Sequence, residues 1–173
     1  MKKASYIPGL LKLSVILLFI MTTYSCGIYS FTGKFPPSIK TFSVKTFSNQ
    51  SSLVVPSLSE KMTEKLKDKF LKEMNLKLVD DEADISFSGI ITDYKTTPSA
   101  ISSDDRAAST RLTITIQVKF ENSQVPKDNY ETSFSNFAEF NSTLDFSSVQ
   151  DNLNDQIIEK LIQDIFNKAV NNW

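Results

Sequence analysis

The chain has 173 residues, 19 basic and 20 acidic, for a formal net charge of −1, with one cysteine and no histidine. Lacking imidazole, it has neither the commonest general base nor the commonest metal ligand, and its charge has the wrong sign for nucleic acid. Its length suits one domain with a sizeable core and is short for two.

Residues Met1 to Lys12 carry Lys2, Lys3 and Lys12 without an acid, and Leu13 to Met21 are almost wholly apolar before the polar run Thr22-Thr23-Tyr24-Ser25-Cys26. That is the layout of a secretory signal. A helix across the apolar run would span about 14 Å, well short of the roughly 30 Å of a bilayer core, so a permanent span is not expected. A small residue followed by Cys26 resembles a bacterial lipobox, whose thiol is acylated and becomes the mature N-terminus. Residues 1–25 are then a lipoprotein signal peptide, and Gly27 after the cysteine, rather than Asp, points to the outer membrane. The alternative is a plain signal peptide cut elsewhere, which leaves an exported thiol, an odd group in an oxidising compartment. Residues 1–25 hold 3 of the 19 basic residues and no acid, so the mature chain has 16 bases against 20 acids, a net of −4. An anionic ligand therefore needs a local cluster of Lys or Arg.

Gly27 to Ser38, with Gly33, Pro36 and Pro37, reads as a tether, so that residues 26–38 link the lipid to the domain. Ile39 to Phe47 alternates β-branched and aromatic residues and predicts the first strand. Ser57 and Glu60 have capping-box spacing, and behind them Leu58, Met62, Leu66 and Phe70 form one helical stripe to Met74. Leu76 to Val79 is a short apolar return. Ala83 to Tyr94 predicts the second strand. In the third, Leu112, Ile114, Ile116, Val118 and Phe120 alternate with Thr113, Thr115, Gln117 and Lys119. Tyr130 to Phe140 predicts the fourth. A final helix opens at a second capping box, Ser147 and Gln150, and carries the broadest apolar stripe, from Val149 through Ile157 and Ile165 to Ala169. Between strands two and three, Thr96 to Thr110 reads as a long polar loop, functional or disordered.

The acidic groups at Asp80-Asp81-Glu82 with Asp84, and at Asp104-Asp105, lack the glycine and terminal glutamate of a calcium loop and read as solvated turns. Serines are plentiful but have no base to activate them. No catalytic residue, metal or cofactor is expected, and the chain does not read as an enzyme. The order β-α-β-β-β-α predicts an α+β two-layer sandwich: a four-stranded mixed sheet with both helices on one face, strands one and two parallel across the first helix and the rest antiparallel. The domain is expected over residues 39–173.

CGIYSFTG at 26–33, PPSIKTFSVKTF at 36–47, SLSEKMTEKLKDKF at 57–70, RLTITIQVKF at 111–120 and DIFNKAVNNW at 164–173 together resemble the LptE family of lipopolysaccharide-assembly lipoproteins, in its divergent Bacteroidetes-type branch. The resemblance covers essentially the whole mature chain. It implies an α/β domain anchored to the inner leaflet of the outer membrane, facing the periplasm. There it would plug the β-barrel LptD, aid its assembly and take part in lipopolysaccharide transport to the surface. The alternative is an auxiliary lipid- or protein-binding lipoprotein of another envelope system. The Thr113, Thr115, Gln117 and Lys119 face would suit a polar barrel lumen, or equally be an ordinary solvated sheet face. Lipid A phosphates call for bases, and the candidates are Lys95, Arg106, Arg111 and Lys119. The competing reading makes them solubilising charges neutralised by Asp93, Asp104 and Asp105.

Overall fold

The computed structural model describes residues 35–101 and 107–171. Cys26, the signal segment, most of the tether and Arg106 lie outside them. In chain order the elements are β1 (Thr41–Val44), β2 (Ser48–Asn49), α1 (Pro56–Glu73), β3 (Lys77–Leu78), β4 (Ile85–Ile101), β5 (Ala107–Asn122), a 3-10 turn (Pro126–Asp128), β6 (Tyr130–Asn141) and α2 (Phe146–Val170). One sheet runs β3-β1-β4-β5-β6, with β2 also on β4. The pairs β1–β3, β1–β4 and β2–β4 are parallel, and β4–β5 and β5–β6 are antiparallel. The chain is thus the expected α+β sandwich with a mixed sheet, but with six strands where four are expected.

Both extra strands have local causes. The apolar return adds to β1 as β3. The first expected strand breaks: Lys45 N still donates to Phe87 O at 2.9 Å, but Phe47 N leaves the ladder for Thr63 Oγ1 on α1 at 3.0 Å, and Gln50 N rejoins it at Ile91 O, 2.9 Å. The break lays the buried Phe47 ring over the β4 backbone at Gly89, where a Cβ would stand 2.2 Å from a ring carbon. Glycine is therefore required for the close approach, not for a turn.

The even-numbered residues of β5 from Leu112 to Phe120 are all buried, as their alternation requires, and meet Leu58, Met62, Leu66 and Phe70 of α1 and Leu153, Ile157, Leu161 and Ile165 of α2 in one core. Phe70 sits at the centre of an aromatic cluster, with ring centroids 4.8 Å from Phe87, 5.2 Å from Phe166 and 5.6 Å from Phe42. The helices run side by side in the same direction, because Lys61, Lys65 and Lys69 of α1 reach Asp155 (3.1 Å), Glu159 (3.9 Å) and Gln163 (2.6 Å) of α2 at a constant sequence offset.

Neither expected capping box forms. Pro56, whose fixed φ suits the first helical position, starts α1 behind Val55, with no side-chain cap. In α2 Asp145 caps instead, Oδ1 accepting from Ser147 N at 3.0 Å. Its earlier carboxylate wins over the Ser147 hydroxyl.

Asp84 ties the end of the sheet where the tether enters. Its Oδ2 accepts from Lys40 N (2.7 Å), Thr41 N (2.9 Å) and Thr41 Oγ1 (3.0 Å), and its Oδ1 from Gln124 Nε2 (2.8 Å). Donors converging on the charged form, led by the Lys40 amide, hold its pKa down at about 2. The acidic run reads as a solvated turn, yet this member of it joins β1, β4 and the β5–β6 connection.

Candidate functional site

Both helices lie on one face, and the described residues leave the opposite face of β4, β5 and β6 open. A β-bulge decides which β4 side chains reach it. Ile91 pairs with Ile116 but Asp93 pairs with Thr115, so Thr92 is an extra residue, its Oγ1 donating to Thr115 O at 3.2 Å. Before the bulge the odd residues Ile85, Phe87 and Ile91 point to the core; after it Tyr94 does, and Asp93 and Lys95 turn outward. Without the extra residue Lys95 would face the core. Inside, Tyr94 Oη donates to Asn154 Oδ1 (3.0 Å) and accepts from Gln150 Nε2 (2.9 Å), fixing β4 to α2, and burial raises its pKa.

The expected loop from Thr96 to Thr110 is for the most part sheet. Thr96 pairs with Leu112, Thr97 with Arg111 and Pro98 with Thr110, and after further register shifts Ile101 pairs with Ala107. Its Thr and Ser residues suit a strand with one wet face. The hairpin is therefore long: 17 residues of β4 extend up to about 55 Å, from the Asp84 end beside the tether to a tip at the other end.

The three described candidate bases are all on the open face, but not in one cluster. Lys95 lies opposite Thr113, two residues from Arg111, which makes the two diagonal neighbours about 7–8 Å apart. Lys119 is eight residues beyond Arg111 on β5, about 26 Å away. Each has a carboxylate: Lys95–Asp93 at 2.5 Å, Arg111–Glu139 at 2.7 Å and Lys119–Glu121 at 2.7 Å. The hydrogen bond from Lys119 to Glu121 raises the ammonium pKa. Exposed pairs of this kind add little to stability.

Two participants went unnoticed in the sequence. Phe137 on β6 lies beneath the Arg111 guanidinium, 4.0 Å from its ring centroid, and orients it together with Glu139. The signal was there: Phe137 alone interrupts the polar series Glu131, Ser133, Ser135 and Glu139 on the outer side of that strand. Lys45, from the break in the first strand, joins Lys119, Gln117 and Glu131 around a shallow depression of about 310 Å³. Elsewhere Thr115 and Ser135 hydroxyls bridge the strands at 3.0 Å, and Gln117 Nε2 donates to Glu131 at 2.8 Å. The face offers hydroxyls, an amide and paired charges, a chemistry of binding. Among the described residues no group of acidic or cysteine side chains could hold a metal ion, and no helix is long and apolar enough to cross a membrane.

Residues 39–169 match the family described as LptE: Lipopolysaccharide-assembly. The chain belongs to this family. No curated protein matches the LptE-family chain in sequence. Solved structures do match in fold. A minor lipoprotein from Acinetobacter baumannii is 13% identical with a TM-score of 0.52, over 78% of this chain and 96% of that one. Uncharacterized lipoprotein B from Nitrosomonas europaea is 10% identical with a TM-score of 0.54, over 83% and 88%. The rare lipoprotein B from Shewanella oneidensis is 10% identical with a TM-score of 0.50, over 73% and 89%. At such identities the likeness concerns fold alone. Family membership makes this LptE-family protein a lipopolysaccharide-assembly lipoprotein of the cell envelope.

Proposed function

We propose that this LptE-family protein sits in the outer membrane, held to the inner leaflet by acyl chains on Cys26, and plugs an LptD-type β-barrel that it helps to assemble. Residues 1–25 are the signal peptide, 26–38 the tether and 39–173 the plug domain. Lipopolysaccharide is the ligand, and its phosphates meet Lys95 and Arg111, with Lys119 as a separate contact lower on the face and Arg106, outside the described residues, as a further base. The protein performs no catalysis.

The observation that carries the reading, beside the family match, is the open polar face of β4–β5–β6. Thr113, Thr115, Gln117 and Ser135 on it suit the polar lumen of a barrel, where an apolar face would not. Within that face Lys95 and Arg111 are the adjacent pair of bases, and Arg111 is held in place by Phe137 and Glu139. A planar guanidinium fixed in this way is suited to bidentate phosphate binding.

Isolation of the intact lipoprotein from membranes tests the partner: a stable one-to-one complex with the barrel is expected, whereas recovery with other transporter subunits moves the protein to the auxiliary-lipoprotein class. Lys95→Glu with Arg111→Glu tests the ligand on the purified complex. Glycolipid binding should fall at least tenfold at low salt while barrel association persists, since both side chains stand on the sheet surface. Undiminished binding by a folded double variant sinks the assignment of these two residues.

A further inference from the structure

β6 is the edge of the sheet, and among the described residues its free side is uncovered except at Phe137, whose carbonyl is held by Lys160 of α2. The pairing of Ser109–Phe120 with Asn141–Tyr130 is continuous, with no bulge, and Tyr130–Asn141 contains neither Pro nor Lys, the devices that commonly block a strand edge. Phe137 O accepts from Lys160 Nζ of α2 at 3.0 Å, from outside the sheet, and Thr115, opposite Ser135, turns its carbonyl toward β4. In an antiparallel ladder the odd residues of β6 must then point their N–H and C=O groups outward, and Glu131, Ser133, Ser135, Phe137 and Glu139 are all exposed.

We propose that this edge takes an added strand, and that its occupant is an extended segment of another protein carrying basic residues eight positions apart. The inference shares Glu139 with the Arg111 pair but does not rest on the plug or glycolipid readings. Charge selects the occupant. Glu131 and Glu139 stand eight residues apart on the outer side, and on the helix side a groove of about 510 Å³ beside Asn136 carries Glu159 and Asp164 against Lys160. Two copies paired antiparallel about Ser135 would set Glu131 opposite Glu139 twice, a like-charge arrangement that opposes self-association. A strand with Lys or Arg at those two places meets Glu131 and Glu139 on the outer face, the latter in competition with Arg111, while main-chain hydrogen bonds supply the affinity.

The probe is a synthetic peptide, Lys-Thr-Thr-Val-Thr-Val-Thr-Thr-Lys, whose symmetric charges fit either strand direction. Binding to the folded 26–173 protein is read by fluorescence anisotropy, and amide hydrogen exchange locates it. Protection should rise at the amides of Ser133, Ser135 and Phe137. Affinity should fall at least tenfold with both Lys replaced by Glu in the peptide, with alternate peptide amides N-methylated, or with Ser135→Pro in the protein. That proline removes an outward N–H and leaves the β5 ladder intact, and unchanged near-native spectra would confirm folding. Glu131→Lys, on an exposed residue that accepts from Gln117 and lies opposite Lys119, should weaken the lysine peptide and strengthen the glutamate one. No binding at millimolar peptide, binding indifferent to Ser135→Pro, or a concentration-dependent dimer with the same amides protected in the absence of peptide would each overturn the proposal.

Discussion

At the scale of single residues, Asp84 and Gly89 show how much depends on one side chain or on its absence. Asp84 has a depressed folded-state pKa, about 2 against an ordinary 3.8, so its contribution is present above pH 4 and is lost as pH falls through 2. Since the carboxylate is partly exposed, solvent screening reduces that contribution to about 1 kcal/mol. Asp84→Asn should therefore be about 1 kcal/mol less stable at pH 7 in urea unfolding, with the gap to the parent closing between pH 4 and pH 2. A gap that does not depend on pH would mean that the carboxylate charge is not what stabilises the junction. Gly89→Val places two methyl groups against the buried Phe47 ring, and overpacking of this kind should cost about 2 kcal/mol or more. Thermal unfolding reads it directly; an unchanged midpoint would show that Phe47 swings away freely.

At the scale of elements, α2 has the clearest role. Ten of its residues are buried, from Leu153 to Val170, and Ile165 has no exposure at all. Ile165→Asp would leave an unpaired carboxylate in the core and should cost about 4 kcal/mol, a large share of the margin of a domain this size. Loss of soluble folded protein is expected, and near-unchanged melting would contradict the packing described. The β4–β5 hairpin was the element least legible beforehand. A Ser- and Asp-rich stretch interrupted by Pro98 has the composition of a loop, yet cross-strand pairing with Ser109–Leu112 carries β4 on through Thr96 and Pro98. Composition reports local preference, whereas a ladder already running along β5 lowers the entropy cost of adding each further pair.

At the scale of the whole described domain, the two ends of the sheet differ. The tether enters beside Asp84 and Gln124, where Gln124 Nε2 holds Ser38 O at 3.0 Å, while Lys95 and Arg111 lie toward the hairpin tip at the other end of β4. An anchor at the first end would let the second reach away from the membrane surface. Cys26 is predicted to carry that anchor: acyl chains contribute about 0.8 kcal/mol per buried CH₂, and stable attachment needs more than one chain. Mass spectrometry of the mature N-terminus should find an acylated cysteine as the first residue. An unmodified thiol, or a different first residue, would remove the anchor and with it the proposed orientation.

The α+β class, the parallel crossover, the antiparallel meander and the core stripes of both helices were legible in the sequence, because period 3.6 and period 2 are properties of neighbouring residues and survive without tertiary context. The family was legible for the same reason, its phrases being the sequence of those elements. Tertiary contact alone decided the rest. Whether Lys95 faced core or solvent depended on one extra residue at Thr92, and a bulge leaves no reliable mark in composition. That Arg111 would rest on Phe137, 26 positions later, followed from the β5–β6 register, and that Lys95 would stand beside Arg111 and away from Lys119 followed from the β4–β5 register. Asp84 belonged to a charged run that reads as a turn; only the arrival of Lys40 and Thr41, more than forty residues earlier in the chain, made it a junction. Each of these is a contact between distant segments, and its energy exists only once the sheet has brought the segments together.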